Sequence, residues 1–166
     1  RRRGCRPAKA RRGEAVKKRS IYVASSWRNA HQPSVVLLLR AAGHVVYDFR
    51  NPGPGDHGFG WSEVSDGHDV PLDVPRFRAM LAKPRARDGF ASDFRGMDAA
   101  DTCVLVLPCG RSAHLEAGWF CGAGRRLIVY IPPGAPVEPE LMYLLGGVVG
   151  DEDELLRKLD ETGGAR

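Results

Sequence analysis

The sequence predicts an α/β protein with a doubly wound, Rossmann- or flavodoxin-like parallel sheet of four to five strands flanked by helices. Short runs of β-branched and aromatic residues alternate with segments whose apolar residues recur at helical spacing. Residues 102–107 form an uninterrupted apolar run, which is typical of a parallel strand buried on both faces. Near the start, two strands and the helix between them occupy about 30 residues, the length of a right-handed β-α-β unit.

Each element follows from its periodicity and from the residues at its ends. Pro33 in a first helical turn and Gly43 after a last turn delimit the first helix, and Pro84 separates two later helices. The expected strands are residues 20–24, 44–48, 102–107 and 126–131, with an edge strand at 148–149. The expected helices are residues 32–42, 74–83, 89–100, the segment that follows Ser112, a short turn at 138–143, and 152–159.

Residues 50–70 contain too many glycines and prolines for regular structure. A loop of this length in a compact domain is usually a functional lid or a disordered segment. Phe59 and Trp61 favour the lid, because a merely flexible loop gains little from large aromatic side chains. His57 and His68 in this loop are expected to be solvated rather than to bind a metal. Since the five histidines are scattered, we predict no metal site.

The positive charge is concentrated at one end of the chain. Residues 1–20 hold ten of the 25 Lys and Arg residues and one of the 20 Asp and Glu residues, which leaves the other 146 residues with a net charge of −4. We therefore expect a disordered basic tail at residues 1–19 and a single domain at residues 20–162. The tail has no interleaved aromatics and the domain is mildly acidic, so the sequence argues against nucleic acid as the partner.

Membrane insertion and an oxidising compartment are not indicated either. No apolar run approaches the roughly 20 residues of a membrane span, and the tail lacks the apolar region of a signal peptide. The four cysteines have no zinc-binding spacing, and Cys103 and Cys121 fall in a predicted strand and helix. We expect reduced thiols in a cytoplasmic protein, with no cofactor.

Residues 108–119 carry the strongest candidate for chemistry. Pro108 and Gly110 end the buried strand, and Ser112 is expected to cap the next helix, with Glu116 one turn later. Such a turn lies at the ligand-binding edge of a parallel sheet. Glu116 falls on an apolar face, where an ionised carboxylate is costly unless it is paired or used. The alternative is a surface carboxylate favoured by the helix dipole. The predicted face consists of Ala113, Glu116, Trp119, Phe120 and Ala123.

Three motifs resemble the nucleoside 2-deoxyribosyltransferase family, whose relatives include 2'-deoxynucleoside 5'-monophosphate N-hydrolases and cytidylate N-glycosidases. The motifs are residues 21–27 (IYVASSW), residues 93–97 (DFRGM) with Asp101 following, and residues 115–119 (LEAGW). The resemblance covers roughly residues 20–131. It implies the same α/β fold and an enzyme of nucleotide salvage that acts on N-glycosidic bonds.

The resemblance assigns catalytic roles to three residues. Glu116 matches the nucleophile that attacks the anomeric carbon, Tyr22 the tyrosine that orients it, and Asp93 the aspartate that handles a proton on the departing base. The chemistry is consistent, because a carboxylate stabilises or traps an oxocarbenium-like state and a neutral base must be protonated to leave. Without the resemblance, the residues alone favour an ordinary strand aromatic for Tyr22 and a solvated helix residue for Asp93.

One position departs from the transferase pattern. The aspartate that contacts the sugar hydroxyls, six residues before the nucleophile, is replaced here by Gly110. In the monophosphate hydrolases this turn uses serine and glycine and holds a phosphate. Gly110, Arg111 and Ser112 supply backbone N–H groups, a guanidinium and a hydroxyl, which fits a phosphate cradle. The alternatives are a solvated Arg111 and a Ser112 that only caps the helix.

The resemblance also implies a homo-oligomer whose sites are completed by a neighbouring subunit, with residues 140–143 reaching across. We expect apolar surface left exposed by Trp119, Phe120 and the 132–143 loop. The predicted substrate-binding residues are Ser25, Trp27, Trp61, Gly110, Arg111, Ser112 and Met142.

The first functional hypothesis is 2-deoxyribosyl transfer between nucleobases, with a small nucleoside or nucleotide and a free nucleobase as partners. The alternative within the same chemistry is hydrolysis of (deoxy)nucleoside 5'-monophosphates to base and sugar phosphate. A hypothesis of another class is a non-catalytic nucleotide-binding module, or a TIR-like domain that cleaves or senses nicotinamide dinucleotide. Such domains share the α/β architecture and a glutamate on a helix, so the fold alone does not separate the three.

Overall fold

The computed structural model describes residues 17–65 and 72–161. Its sheet has five strands, β1 (Ser20–Ala24), β2 (Val45–Tyr47), β3 (Thr102–Val106), β4 (Arg126–Tyr130) and β5 (Gly147–Val149). All neighbouring pairs are parallel, and the order across the sheet is β2-β1-β3-β4-β5. The predicted parallel α/β sheet is confirmed, and the edge strand expected near residue 148 is β5.

Five helices accompany the sheet in the described part of the chain. They are α1 (Gln32–Ala41), α2 (Val74–Ala82), α3 (Pro84–Ala99), α4 (Arg111–Gly122) and α5 (Glu152–Asp160). Short 3₁₀ turns lie at Trp61–Glu63 and Leu141–Leu145. None of the helices in the described ranges is long and apolar enough to cross a membrane.

The sheet separates two apolar cores, because successive side chains of each strand point to opposite faces. Residues of α1 and α5 pack with Ile21, Val23 and Val104 in one core. Residues of α3 and α4 pack with Tyr22, Cys103 and Leu105 in the other. Strand β3 is buried along its whole length, as its unbroken apolar run predicts. The second core forms the floor of the candidate site.

Three element boundaries differ from the expectation. The helix expected to start at residue 89 starts at Pro84, because the first helical position needs no backbone N–H and suits proline. Ser112 does not cap α4, since Gly110 occupies the cap position with extended backbone and no side chain caps the helix. The Gly110 carbonyl instead accepts the backbone N–H of His114 at 3.4 Å, so Ser112 already lies inside the first turn. The turn expected at 138–143 is the 3₁₀ turn Leu141–Leu145.

The described chain begins and ends at the edge of the sheet where the strands start. Arg19, assigned from the sequence to the basic tail, is only 9% exposed and donates from Nε to the Leu159 carbonyl at 2.6 Å. Its Nη2 donates to the Glu161 carbonyl at 2.8 Å, and Arg126 donates to the same carbonyl at 2.7 Å. Arg19 therefore belongs to the fold. The rest of the predicted tail up to residue 16, and His68, lie outside the described residues.

Candidate active site

Glu116 lies in the second turn of α4, on the face of the sheet that carries Tyr22 of β1 and Cys103 of β3. The stripe of α4 that packs on the sheet consists of Ala113, Ala117 and Phe120, all buried. Glu116 and Trp119 border this stripe and are half-buried, whereas Ala123, which was expected on the same face, is exposed. Ala123 follows the last helical residue, so the helical period does not extend to it. The geometry places a carboxyl group at the margin of an apolar core.

Burial raises the pKa of Glu116 to about 8, and the negative charge of Asp93 adds to this effect. A hydrogen-bond-like interaction with the Tyr22 hydroxyl acts in the opposite direction and is the smaller influence. Since the charge of Asp93 acts on Glu116, α3 and α4 bring these two carboxyls close to each other. These two residues and Tyr22 are the three to which the sequence gives catalytic roles, and the structure brings all three together.

Tyr22 is fully buried between two aromatic rings. Its ring stacks on Tyr47 with centroids 5.3 Å apart and an interplanar angle of 10°, and it contacts Phe120 at 5.9 Å. Burial, followed by the charges of Glu116 and Asp93, raises the pKa of Tyr22 far above its ordinary value, so the hydroxyl keeps its proton. Among the described residues this hydroxyl has no partner that meets full hydrogen-bond geometry. It is therefore a donor held ready beside the Glu116 carboxyl.

Asp93, on α3, is also a perturbed acid. Burial raises its pKa to about 6, against the lowering effect of a hydrogen bond from Tyr47, and the charge of Asp56 raises it further. The Tyr47 hydroxyl donates to Asp93 Oδ1 at 3.0 Å. Asp56 lies in the loop after β2, where its carboxylate accepts the backbone N–H of Gly58 at 2.9 Å. The site thus combines acidic groups from α3, α4 and a loop.

The loop after β1 is tied to its neighbours by two polar side chains that the motifs did not single out. The buried Asn29 amide donates to the carbonyls of Val106 and Pro108, both at 3.1 Å. Arg50 Nη2 donates to the carbonyls of Ser26, Trp27 and Asn29 at 2.9, 3.0 and 2.8 Å. These bonds connect the loops that follow β1, β2 and β3 at the carboxyl edge of the sheet.

Two predicted binding residues belong to this loop. Ser25 follows β1 directly, and its hydroxyl donates to the Val106 carbonyl at 2.9 Å while accepting from the Asn29 amide at 3.0 Å. Trp27 is half-exposed and meets Phe49 edge-on at 5.3 Å, with the Arg50 guanidinium 5.6 Å from its ring centre. Ser25 is thus committed to positioning the loop, whereas Trp27 presents an open aromatic surface.

Helix α4 has two flanks with different surroundings. Ser112 lies four residues before Glu116 and hence on the same flank. The opposite flank faces a separate cavity of about 760 Å³ between α4 and the Leu141–Leu145 turn. Three predicted binding residues line this cavity, namely Gly110, Arg111 and Met142. Glu116, Tyr22 and Asp93 are not in its wall, so this cavity is not where the carboxyls meet.

Trp61 lies in the 3₁₀ turn of the long loop and packs on other aromatic rings. Its ring contacts Phe59 at 5.2 Å and Phe77 at 5.7 Å. Phe59 packs so closely on α3 that a Cβ on Gly89 would lie 2.7 Å from the Phe59 Cβ. An ion pair between Arg85 and Glu63 at 2.6 Å holds the same segment. The described part of the loop is therefore anchored on α2 and α3.

Sequence reasoning missed Tyr47, Asp56, Asn29 and Arg50. The sequence contained a usable signal for Tyr47, because this tyrosine ends the strand that follows the one containing Tyr22. In the structure the two tyrosines are direct partners in the parallel register of β1 and β2. The other three are polar residues in loops, and their contacts depend on how the loops meet. Within the described ranges no group of three or more His, Cys, Asp or Glu residues is arranged to hold a metal. Cys103, Cys109 and Cys121 are free thiols.

No protein-family model matches the chain, and no curated protein matches it in sequence. Among solved structures, it is similar to the CMP N-glycosidase BcmB of Clostridium botulinum, with 16% identity, 85% of this chain and 98% of that chain covered, and a TM-score of 0.44. It is also similar to a 2-deoxyribosyltransferase of Bacillus psychrosaccharolyticus, with 18% identity, 82% and 89% covered, and a TM-score of 0.47.

Proposed function

We propose that this protein cleaves N-glycosidic bonds of nucleosides or nucleotides, with Glu116 as the nucleophile, and that its reaction is 2-deoxyribosyl transfer between nucleobases. The observation that supports this most directly is that α3, α4 and β1 place Asp93, Glu116 and Tyr22 beside one apolar core, where burial raises the pKa of both carboxyls. Two interacting carboxyls at the carboxyl edge of a parallel sheet provide a nucleophile and an acid. The substrate class comes from the three motifs, which resemble those of nucleoside 2-deoxyribosyltransferases.

In the first step the Glu116 carboxylate attacks the anomeric carbon, the bond from that carbon to the base nitrogen breaks, and Asp93 gives the base a proton. A glycosyl ester on Glu116 and an ionised Asp93 result. In the second step a nitrogen of another base attacks the anomeric carbon, Glu116 leaves, and Asp93 takes the proton back. The developing positive charge on the sugar favours ionised Glu116, and the Tyr22 hydroxyl beside it orients the carboxylate.

The proton distribution in the free protein is the reverse of what the first step needs. Between pH 6 and pH 8 the single proton of the pair resides mainly on Glu116, because its pKa is the higher of the two. The reactive arrangement, with Glu116 ionised and Asp93 protonated, is then a minor form of the same singly protonated pair. As the glycosidic bond breaks, the positive charge that develops on the sugar lowers the pKa of Glu116 and so favours the form with the proton on Asp93.

The test is a base-release assay on deoxynucleosides, ribonucleosides and their 5'-monophosphates, with and without a second free base. Glu116→Gln and Asp93→Asn are each expected to lower turnover by about 10²–10⁴-fold. Asp98→Asn, on the same helix as Asp93 but exposed, is the matched control and retains activity. A 2-fluoro-deoxy substrate analogue should leave a sugar adduct on Glu116 that peptide mass spectrometry detects.

Two results contradict the proposal. One is a folded Glu116→Gln protein that turns over within about tenfold of the unsubstituted protein. The other is release of no base from any member of the panel, which favours a non-catalytic nucleotide-binding module. Base release only from a nicotinamide dinucleotide included in the panel supports the TIR-like hypothesis instead.

Hydrolysis of a monophosphate is the second candidate, and the start of α4 favours it. Gly110 supplies no capping side chain, so backbone N–H groups of the first turn remain open to an anion. Ser112 lies on the flank of Glu116, whereas Arg111 lines the cavity on the other flank. Of the two side chains, Ser112 is thus the better placed to contact a phosphate on a sugar bound at Glu116.

Ser112→Ala is therefore expected to lower kcat/KM for a 5'-monophosphate by about tenfold and to spare the matching nucleoside. Arg111→Ala is the companion variant, and it affects monophosphates selectively only if its guanidinium turns toward the Glu116 flank. Steady-state kinetics on both substrates separate the cases. Equal losses on the two substrates, or no loss with either variant, reject a phosphate cradle and leave transfer as the assignment.

We further propose that a second copy of the chain covers the cavity beside α4. Phe120, which was expected to contribute exposed surface, is fully buried, because it belongs to the stripe of α4 that packs on the sheet. Exposed apolar side chains lie elsewhere: Leu115, Met142 and Leu145 line the cavity, and Leu141 and Leu144 belong to the same 3₁₀ turn. Exposed apolar side chains gathered beside one cavity are typical of a contact between proteins.

A further inference from the structure

Tyr47 contacts several parts of the candidate site, yet neither the motifs nor the proposed mechanism uses it. It ends β2, directly opposite Tyr22 of β1 in the parallel register. Register partners point to the same face of a sheet, and the two rings stack at 5.3 Å. Tyr47 therefore lies beside the residue that interacts with Glu116, while its own hydroxyl reaches α3 on the other side.

The ring of Tyr47 is held from both sides. Opposite Tyr22 it packs on Gly96 of α3, where an added Cβ would lie 2.5 Å from the tyrosine Cδ2. No side chain larger than hydrogen fits at that position without moving the ring or the helix. The slot between β1 and α3 thus fixes the ring plane and the direction of the hydroxyl.

The hydroxyl has two partners, both on α3. It lies 3.0 Å from Asp93 Oδ1 and 3.2 Å from Ser92 Oγ. Burial raises the pKa of Tyr47 well above its ordinary value, so the phenol stays protonated and has one proton to give. When Asp93 is ionised, the Tyr47 hydroxyl donates a hydrogen bond to Asp93 Oδ1. The Ser92 hydroxyl can then donate a hydrogen bond to the Tyr47 oxygen.

We propose that Tyr47 is the positioning residue for Asp93, because its hydrogen bond occupies Oδ1 and leaves Oδ2 as the oxygen that carries the proton for the departing base. This rests on the proposed function, in which Asp93 is the acid. In the proton transfer the Oδ2–H bond breaks, a bond from hydrogen to the base nitrogen forms, and the electron pair of the glycosidic bond goes to the base. Tyr47 then stabilises the carboxylate that remains.

The groups that act on Asp93 from its surroundings set the direction of the test. They are Tyr47 on β2 and Asp56 in the following loop, while Asp93 in turn raises the pKa of Glu116 on α4 and of Tyr22 on β1. The Tyr47 hydrogen bond lowers the pKa of Asp93, whereas burial and Asp56 raise it. Removing the hydroxyl alone must therefore raise the pKa of Asp93. If the substitution instead loosened the packing around Asp93, water would reach the carboxyl and the pKa of Asp93 would fall.

The experiment titrates the Asp93 carboxyl by carbon-13 NMR in protein with labelled aspartate, assigned with Asp93→Asn. In Tyr47→Phe, which keeps the ring in its slot, the Asp93 pKa is expected to rise by about one pH unit. Tyr130→Phe is the matched control, since Tyr130 belongs to the core on the opposite face of the sheet and its change leaves Asp93 unaffected. Turnover of Tyr47→Phe should show a lower kcat with KM nearly unchanged.

An unchanged or lowered Asp93 pKa in folded Tyr47→Phe overturns the proposal. If that variant does not fold, 3-fluorotyrosine at position 47 gives a stronger donor, and the Asp93 pKa must then fall rather than rise. The titration needs no turnover, so it remains decisive for the Tyr47–Asp93 pairing even if Glu116→Gln shows that the proposed function is wrong.

Discussion

The Glu116 carboxyl, which the proposed reaction needs in its ionised form, destabilises the folded protein when it ionises. A carboxyl at the edge of an apolar core must lose water when it ionises, and burial accordingly raises its pKa to about 8. The protonated form therefore favours folding. This contribution to stability is complete below the pKa of the unfolded chain, near 4.5, and is lost as pH rises through the folded-state value of about 8.

Glu116→Gln should remove this penalty while it removes activity. The amide keeps the size of the side chain and never ionises, so the variant is expected to be about 2–4 kcal/mol more stable than the unsubstituted protein at pH 9 and nearly equal at pH 4.5. Urea denaturation at the two pH values measures the difference. Glu138→Gln, at an exposed position, is the control and should show no pH-dependent gain. A gain of the same size at both pH values would show that packing, and not the charge, is responsible.

The residues of the site were predictable to the extent that the chemistry lies in short motifs. Glu116 stood out because a carboxylate in an apolar helical stripe is unusual, and the resemblance of motifs added Tyr22 and Asp93. Short motifs reveal neither Tyr47 nor Asp56, because their influence on Asp93 comes from chain segments that meet only in the fold; the one signal for Tyr47 was its place at the end of the second strand. Arg111 was grouped with Ser112 as a neighbour in sequence, yet adjacent helical residues point about 100° apart.

At the scale of elements, Glu116, Asp93 and Tyr22 lie inside helices and a strand, whereas Trp27 is presented by a loop. Arg50 is the main restraint on the loop between β1 and α1. It donates hydrogen bonds to three carbonyl groups of that loop, those of Ser26, Trp27 and Asn29. Its guanidinium also lies near the rings of Trp27 and Phe49, at 5.6 and 5.8 Å. A side chain that satisfies three carbonyls limits the shapes that the loop can take.

Arg50→Met should therefore loosen the loop that presents Trp27. The methionine retains part of the apolar stem but donates no hydrogen bond, so amide exchange at residues 25–30 is expected to accelerate and KM to rise about tenfold. Hydrogen exchange with mass spectrometry and steady-state kinetics provide the two measurements. Arg87→Met, at an exposed position of α3, is the matched control. Unchanged exchange in the Arg50 variant would show that Asn29 and Ser25 hold the loop without it.

The order and type of elements followed well from hydrophobic periodicity, whereas their ends did not. Helix α3 starts five residues earlier than expected, because Pro84 was interpreted as a break although it is suited to a first helical position. The start of α4 was misplaced because serine is a good cap by composition, while the turn after β3 brings Gly110 into that position. Which residue caps a helix depends on the path of the chain that enters it, and the local sequence does not determine that path.

For the whole molecule, the two flanks of α4 imply two different uses. One flank carries Glu116 and Ser112 toward the acidic site, and the other carries Leu115 and Gly118 toward the apolar cavity. A single helix therefore connects the proposed chemistry with the proposed contact between copies. Any movement of α4 when two copies associate would therefore also move Glu116.

Leu115→Asp is expected to prevent association of the two copies. Leu115 is 77% exposed beside the cavity, so the substitution costs an isolated subunit little but places a charge in the proposed contact. Light scattering coupled to size-exclusion chromatography should show a dimer or larger form for the unsubstituted chain and a monomer for the variant. Leu37→Asp, at a 66% exposed position of α1 on the other face of the sheet, is the control. An unsubstituted chain that is monomeric at working concentration contradicts this prediction.

The arginine contacts around α5 bear on how this domain can be joined to other polypeptide. Arg19 and Arg126 hold the end of α5 at the edge of the sheet where the strands begin, opposite the edge that carries Glu116 and Asp93. Residues 19 and 161 are close enough for one side chain to span the gap between them. A short linker could join these two points in a circular permutant, with new ends opened in the exposed loop at residues 133–140. Fused domains attached at either point would project away from the mouth of the site and leave it open to small molecules.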